Sequence, residues 1–348
     1  MAHPIIRPDW WLPERAASEA SLYFNRRSFL RTVGLGVGAT SIWGCESTFT
    51  PAEPDNRDTS CDAAPPTNPL QTICPSPTAD LYPASGNPRY RVTDRPHTAE
   101  TLAITHNNYY EFIGRPGNVN FIWDLIGPFQ VRPWTVELSG EIENPGIYDV
   151  ADLEREFGLE QRVYRHRCVE RWSMAVPWTG YPLSKLIEKA SPLSSAAYLK
   201  FTAFNQPDAA VGQATQPWYP WPFVEALRMD EALNELSFVA TGLFGKPLPK
   251  QNGAPLRLAV PWKYGFKSVK AFVKIEFVQE QPTTFWTEFG PDEFGFLSNV
   301  NPDVPHPRWS QQEELMLGEF DPRPTLVYNG YGSTVGDLYD PETLTFLS

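Results

Sequence analysis

Cys168 stands in the run Tyr164-Arg165-His166-Arg167-Cys168-Val169-Glu170-Arg171-Trp172-Ser173-Met174. A thiolate attacks electrophiles or binds soft metals, and neighbouring cations stabilise it against the thiol. Arg165, Arg167, Arg171 and His166 surround this sulfur in sequence. The pattern therefore predicts an activated cysteine, with a buried packing cysteine as the alternative. Alternate residues of a strand point to opposite faces, so not all of these cations can reach the sulfur.

Other clusters carry weaker signals. His106-Asn107-Asn108-Tyr109-Tyr110-Glu111-Phe112 gathers amides, a carboxylate and aromatic rings in a turn-like segment, and Gln251-Asn252-Gly253-Ala254-Pro255-Leu256-Arg257 sets an amide turn before a strand. Either could simply satisfy loop backbone. Pro261 to Lys270 places Lys263, Lys267 and Lys270 around a glycine turn. That combination suits a phosphate group, or a solvated turn. The histidines (His3, His97, His106, His166 and His306) form no H-E-x-x-H, there is no G-x-S-x-G, and the cysteines form no C-x-x-C. A classical zinc hydrolase, a serine hydrolase, a zinc ribbon and an attached c-type haem are excluded.

These groups need a scaffold, and the chain of 348 residues can supply one: 41% are hydrophobic and 14% aromatic. With a formal charge of -12, nucleic acid is not an expected partner, since phosphate backbones require a basic surface. Trp134 to Leu138, Tyr198 to Phe204, Leu256 to Val260 and Val269 to Phe277 read as strands. The last of these places Val269, Ala271, Val273, Ile275 and Phe277 on one face. Ala151 to Phe157, Leu183 to Ala190 and Val224 to Leu236 carry helical spacing. Strands mixed with short helices and many prolines predict an α+β fold with mostly antiparallel strands.

The N-terminal region reads as targeting. Asn25-Arg26-Arg27-Ser28-Phe29-Leu30-Arg31 precedes the glycine-rich Val33 to Ala39, as in a twin-arginine export signal. The uncharged stretch Thr32 to Cys45 is too short to span a membrane. Its G-x-G-x-G has no preceding strand and no βαβ context, so it is not a dinucleotide site. Ser41-Ile42-Trp43-Gly44-Cys45 resembles a lipoprotein box, which would put a lipid anchor on Cys45. Removing residues 1–44, with five basic and three acidic side chains, would change the charge from -12 to -12 minus (+2), or -14. Cys45 to Pro96 holds ten prolines in 52 residues and reads as a linker or an arm laid over the domain. Cys61 and Cys74 within it could close a small disulfide loop. The expected organisation is 1–44 arm and signal, 45–96 linker and 97–348 catalytic domain. Twin-arginine export carries folded proteins, which hints at a cofactor inserted beforehand.

Together these segments resemble the catalytic subunits of bacterial periplasmic protein-methionine-sulfoxide reductases, molybdenum-molybdopterin enzymes of the sulfite-oxidase-type fold. The resemblance runs through Asn25-Arg26-Arg27, Asn107 to Phe112, Arg167 to Glu170, Trp172-Ser173-Met174 with Val176-Pro177-Trp178, and Gln251 to Pro255. It continues through Pro261 to Lys267, Asn301-Pro302 and His306 to Gln311. It implies that Cys168 is the catalytic thiolate ligand of molybdenum. Asn107, Tyr110, Glu111, Asn252, Arg257, Ser268, Val269 and Lys270 would hold the pterin, with Arg257 and Lys270 suited to its phosphate. A threonine contact of the family falls, by ungapped counting, on Ala203, with Thr202 adjacent. Arg171 departs from the small residue usual after Cys-Val-Glu, and a guanidinium there would alter substrate charge preference or redox potential. The proline-rich arm is longer than the family's usual linker.

The implied activity is reduction of methionine sulfoxide residues in oxidised periplasmic proteins by a monomeric catalytic subunit. The resemblance also implies a membrane haem-binding partner that delivers the electrons, which fits a chain with no motif for a haem or iron-sulfur cluster of its own. Two alternatives stand beside it: oxidation of sulfite or a related small anion on the same fold, and a non-catalytic exported binding lipoprotein.

Overall fold

A computed structural model describes residues 66–113 and 120–340. The twin-arginine stretch, the boundary at residue 44, Cys45 and Cys61 lie outside the described residues. The strands are β1 Thr135–Gly140, β2 Gly146–Asp149, β3 Glu160–Arg167, β4 Trp172–Pro182, β5 Tyr198–Ala203 and β6 Val224–Arg228. They continue with β7 Phe238–Leu243, β8 Lys246–Pro247, β9 Arg257–Ala259, β10 Phe272–Val278, β11 Glu313–Met316 and β12 Arg323–Pro324.

Two sheets form. One has the order β2-β1-β10-β5-β6, with β1 and β10 parallel and the other neighbours antiparallel. The other is built on β4, whose eleven residues pair with β3 along one edge and with β7 and β11 along the other. β8 and β9 add to β7, and β12 adds to β11. Antiparallel pairing predominates, as an α+β chain with short connections requires.

Local chemistry explains the elements that matter for the site. In β1, Val136 and Leu138 are buried while Thr135 and Glu137 are not, the period of a half-buried strand. The helix Val150–Phe157 starts at Asp149, whose carboxylate accepts from the Ala151 N–H at 2.7 Å. The helix Leu183–Ala190 buries Leu183, Leu186, Ile187 and Ala190, a single face.

Two expectations are corrected. Val224 to Leu236 is not one helix: Val224–Arg228 is strand β6, paired with β5, and only Met229–Leu233 is helical. Glu225, Ala226 and Leu227 are buried in succession, so the strand has no exposed face to show the alternation. The strand at Val269 begins later, at Phe272, because Ala271 takes a left-handed φ of 45° and the register with β5 shifts between Phe272 and Lys274. Phe272, in place of Val273, then joins Ile275 and Phe277 in the core.

The described part of the proline-rich stretch lies along the domain. The Gln161 N–H donates to the Ser85 carbonyl at 2.9 Å and the Val163 N–H to that of Tyr90 at 3.1 Å, so the stretch runs beside β3 and covers that edge. Thr78 and Tyr82 donate their hydroxyls to buried Glu154. Cys74 is buried and disulfide-bonded.

Candidate active site

Cys168 opens the four-residue loop between β3 and β4, which pair from Glu160 with Gly180 to Arg167 with Ser173. The Cys168 N–H donates to the Trp172 carbonyl at 2.9 Å and the Arg171 N–H to that of Cys168 at 3.1 Å. Arg171 closes the turn at φ 78°. The loop is pinned from outside. Trp309 Nε1 and Gln311 Nε2 both donate to the Val169 carbonyl at 2.9 Å, and the Arg167 guanidinium donates to the carbonyl of Cys168. Arg167 is wholly buried, and its charge is met by Glu314 at 3.4 Å and by Gln311 Oε1 at 2.8 Å. A buried guanidinium without such partners would cost several kcal/mol.

Of the arginines only Arg167 favours the thiolate, and burial outweighs it. Arg165 goes to Asp94 at 2.6 Å, Arg167 to Glu314, and Arg171 to Glu313 at 3.7 Å. Burial pushes the Cys168 thiol well up, and the Glu170 carboxylate adds to the shift. A thiolate at this buried position therefore needs a strong positive partner, which a metal ion provides. The sulfur already meets two donors, the Glu170 N–H at 3.5 Å and Asn108 Nδ2 at 3.7 Å. The Arg171 guanidinium is half-exposed and engaged by the carbonyl and carboxylate of Glu313 on β11.

The segment after the helix Glu100–Thr105 forms a second wall. Asn107 is buried and neither atom of its side-chain amide has a hydrogen-bond partner; the same holds for Asn108 Oδ1, Tyr109 Oη and Asn252 Oδ1. Lys270 Nζ donates to the Asn108 carbonyl at 2.6 Å and lies 4.7 Å from the centre of the Tyr109 ring. Glu111 is buried nearby; burial raises its carboxyl, and Lys270 pulls the other way. Tyr110 packs edge-on against Trp286 at 4.9 Å. His166 is held neutral by burial and by Arg257 and Lys270. A Cβ at Gly265 would fall 2.6 Å from its Nε2, so a glycine is required there.

The third wall ties two loops together. Arg257 donates to the carbonyls of Asn252 at 3.1 Å and Ser268 at 3.2 Å, with its guanidinium 4.9 Å from the Trp178 ring centre. Gly253, at φ 106°, lets the amide turn close on this pair: a Cβ would lie 3.0 Å from that of Lys270. The Ser268 hydroxyl accepts from the Val260 N–H, and the Val269 carbonyl from the Leu258 N–H. Ser268 and Val269 thus hold the loop that presents Lys270. Ala203 is a buried methyl on β5 whose N–H goes to the Phe223 carbonyl, so it brings no spare polar atom.

The lysine cluster is a correction. Lys263 is paired with Glu231 and Lys267 with Glu225, each at 2.6 Å and buried, so of the three only Lys270 joins the site. Conversely, Asn108 and Tyr109 belong to it although neither was singled out. Their signal was present in the amide and aromatic run itself.

A buried polar group without a partner costs about 1–3 kcal/mol, so the several open polar atoms of Asn107 to Tyr109 and Asn252 suit a polar ligand. Molybdopterin fits: a pterin carries amide-like edges, a phosphate suits Lys270, and molybdenum is a soft-ligand metal for the sulfur. Among the described residues no three His, Cys, Asp or Glu side chains converge as a metal-binding set.

Residues 126–286 match the oxidoreductase molybdopterin binding domain, which sets the class of the protein. Three relatives, each a protein-methionine-sulfoxide reductase catalytic subunit, extend the match. That of Pseudomonas syringae is 40% identical over 94% of this chain and 94% of its own length. That of Burkholderia mallei is 45% identical over 76% and 80%, and that of Campylobacter jejuni 48% identical over 69% and 80%. The chain belongs to the family of protein-methionine-sulfoxide reductase catalytic subunits. The sulfane dehydrogenase SoxCD of Paracoccus pantotrophus aligns over 44% of this chain and 40% of its own, with a TM-score of 0.37 and 17% identity.

Proposed function

We propose that this chain reduces methionine sulfoxide residues of oxidised proteins to methionine. The reading is carried by a buried cysteine sulfur bonded by Asn108, together with the unpartnered Asn107 amide, Asn108 Oδ1, Tyr109 Oη and Asn252 Oδ1, and Lys270 held on the Asn108 carbonyl. The net reaction takes two electrons and two protons per sulfoxide and releases the thioether and water. When bound, molybdopterin supplies molybdenum's two-electron oxygen-transfer chemistry.

The residues of the chain do the rest. Cys168 would ligate the metal through sulfur, and Asn108 and the Glu170 N–H hold that sulfur's orientation. Asn107, Tyr109 and Asn252 offer the open polar atoms that would hold the pterin, and Lys270 would serve its phosphate. Arg257 positions the two loops around it. Tyr110 is fixed beside this segment by its edge-on contact with the buried Trp286.

The wider setting belongs to the same proposal. The catalytic subunit acts in the periplasm after twin-arginine export, with Cys45 as a lipid anchor point. A membrane haem protein returns the electrons. Arg171 gives the sulfite reading no support, because its guanidinium is taken up by Glu313.

Two measurements test the activity. Purified protein from a cofactor-competent host should contain molybdenum and oxidise a reduced dye when methionine sulfoxide is added. Sulfite-dependent cytochrome reduction without any sulfoxide reduction would overturn the reading, as would protein free of metal.

A further inference from the structure

A path of aromatic rings leads outward from the site. Tyr110 lies two residues beyond Asn108, whose amide meets the Cys168 sulfur. Its ring centre is 5.7 Å from that of Tyr219, which lies 4.5 Å from Phe289 and 6.2 Å from Trp218. Phe289 is 44% exposed and Trp218 62% exposed. Indoles and phenyl rings left in water beside a catalytic centre have an unfavourable hydration that a partner can relieve.

The loop that presents them is built to stay put. It reads Gln216-Pro217-Trp218-Tyr219-Pro220-Trp221-Pro222, and its three prolines restrict the backbone. Gln216 Nε2 donates to the Ile113 carbonyl at 2.6 Å, and Trp221 Nε1 to the Gln216 carbonyl at 2.9 Å. Upstream, a Cβ on Gly212 would fall 2.1 Å from the Tyr110 carbonyl oxygen, so the short helix Val211–Thr215 lies directly on the Tyr110 turn. Loop and site therefore share one support. Rigid aromatic side chains lose little entropy when they are covered, which is why they dominate recognition surfaces.

We infer that Trp218, Tyr219 and Phe289 form a docking ledge for an extended polypeptide segment, on which the residues flanking the oxidised methionine rest. This deepens the proposed function and rests on it. The occupant follows from chemistry and from continuity with the site. Methionines sit among apolar neighbours in protein cores, so a segment exposing an oxidised one also exposes apolar flanks. The loop from Gln216 to Pro222 contains no charged residue in a chain of formal charge -12, so it accepts segments of either sign. A small anion would gain nothing from such a surface.

The test compares Trp218→Ala and Trp218→Phe with the wild-type holoenzyme on two substrates. One is a ten-residue peptide with a central methionine sulfoxide and aliphatic flanks, the other free methionine sulfoxide. Trp218→Ala should raise KM for the peptide roughly tenfold, the scale of one aromatic anchor, with kcat within about twofold. Trp218→Phe should restore most of the difference, and kinetics on free methionine sulfoxide should not move. An unchanged peptide KM overturns the inference, as does an equal loss on both substrates. If the wild-type protein reduces neither substrate, the functional reading fails by itself. Calorimetric titration of the same peptide then decides the ledge: tighter binding to wild type than to Trp218→Ala supports it, and equal or absent binding overturns it.

Discussion

Asn108 Nδ2 lies 3.7 Å from the sulfur of Cys168, joining two segments sixty residues apart in sequence. One end of its amide is spent on the sulfur while the other, Oδ1, is buried without a partner. On the proposed function such a residue would touch the metal's ligand and keep an acceptor open for the cofactor. Replacing it with leucine, of similar volume, should lower molybdenum content or turnover by about 10–100-fold, the usual effect of losing a ligand's supporting bond. Cys168→Ser should go further and leave the protein without bound metal, a hydroxyl being a poor replacement for a soft thiolate. Elemental analysis alongside circular dichroism separates loss of metal from loss of fold.

Lys267 and Lys270 are three residues apart and should respond differently. Lys267→Met strands the buried Glu225 carboxylate and should cost about 3–5 kcal/mol of stability in urea titrations. Protein that remains folded should still bind molybdopterin. Lys270→Met should release the cofactor instead, with a smaller change in unfolding midpoint.

Gly253→Ala places a methyl group 3.0 Å from the Lys270 Cβ at a φ of 106°. The backbone strain and overpacking together should destabilise the protein by about 2–4 kcal/mol. Cofactor content should fall in parallel, because the same collision pushes Lys270 away from the Asn108 carbonyl.

Arg171 sits in the left-handed region at φ 78° and spends its guanidinium on Glu313. Glycine relieves the strain, of about 1–2 kcal/mol, at the loss of an exposed ion pair worth about 0–1 kcal/mol and some unfolded-state entropy. Arg171→Gly should therefore remain within about 1 kcal/mol of wild type, while Arg171→Val should lose more. Neither should change the preference between neutral and anionic substrates, which competition kinetics would reveal.

Acid stability should depend on two imidazoles that flank the Trp172 ring, at 4.8 Å for His106 and 5.7 Å for His166. Burial lowers His106 from 6.5 to about 4 and His166 further. Both are neutral when folded and take up protons more readily when unfolded. Their contribution is thus complete above pH 6.5 and declines as the pH falls toward 4. For His106 the loss amounts to up to about 3 kcal/mol. Denaturation of His106→Gln at pH 7 and pH 4.5 should show a smaller drop than wild type.

The sequence displayed the strands with one exposed face most clearly. Val136 and Leu138 alternate with polar neighbours, and that period survives folding. β6 was hidden because Glu225 is buried as an ion pair with Lys267, a partner 42 residues away that no local pattern shows. The displaced start of β10 depended on the φ of Ala271 and a bulge, neither of which leaves a mark on composition. In the site, residue types were readable and pairings were not. The arginines around Cys168 look like activators, yet Asp94, Glu313 and Glu314 pair with them from distant segments and the pull of Arg167 on the thiol is outweighed by burial. Arg257 and Lys270 are visible as cations in the sequence, but the carbonyls each engages, Asn252 and Ser268 for Arg257 and Asn108 for Lys270, come from the fold alone.

The Val169 carbonyl receives both Trp309 and Gln311. During synthesis those two donors leave the ribosome long after Cys168 does. The sulfur can stand on its finished turn only once most of the polypeptide has been made and the later segment has folded back. A chain broken off before Trp309 would keep the turn's own bonds and the Asn108 contact but lack both donors to the Val169 carbonyl.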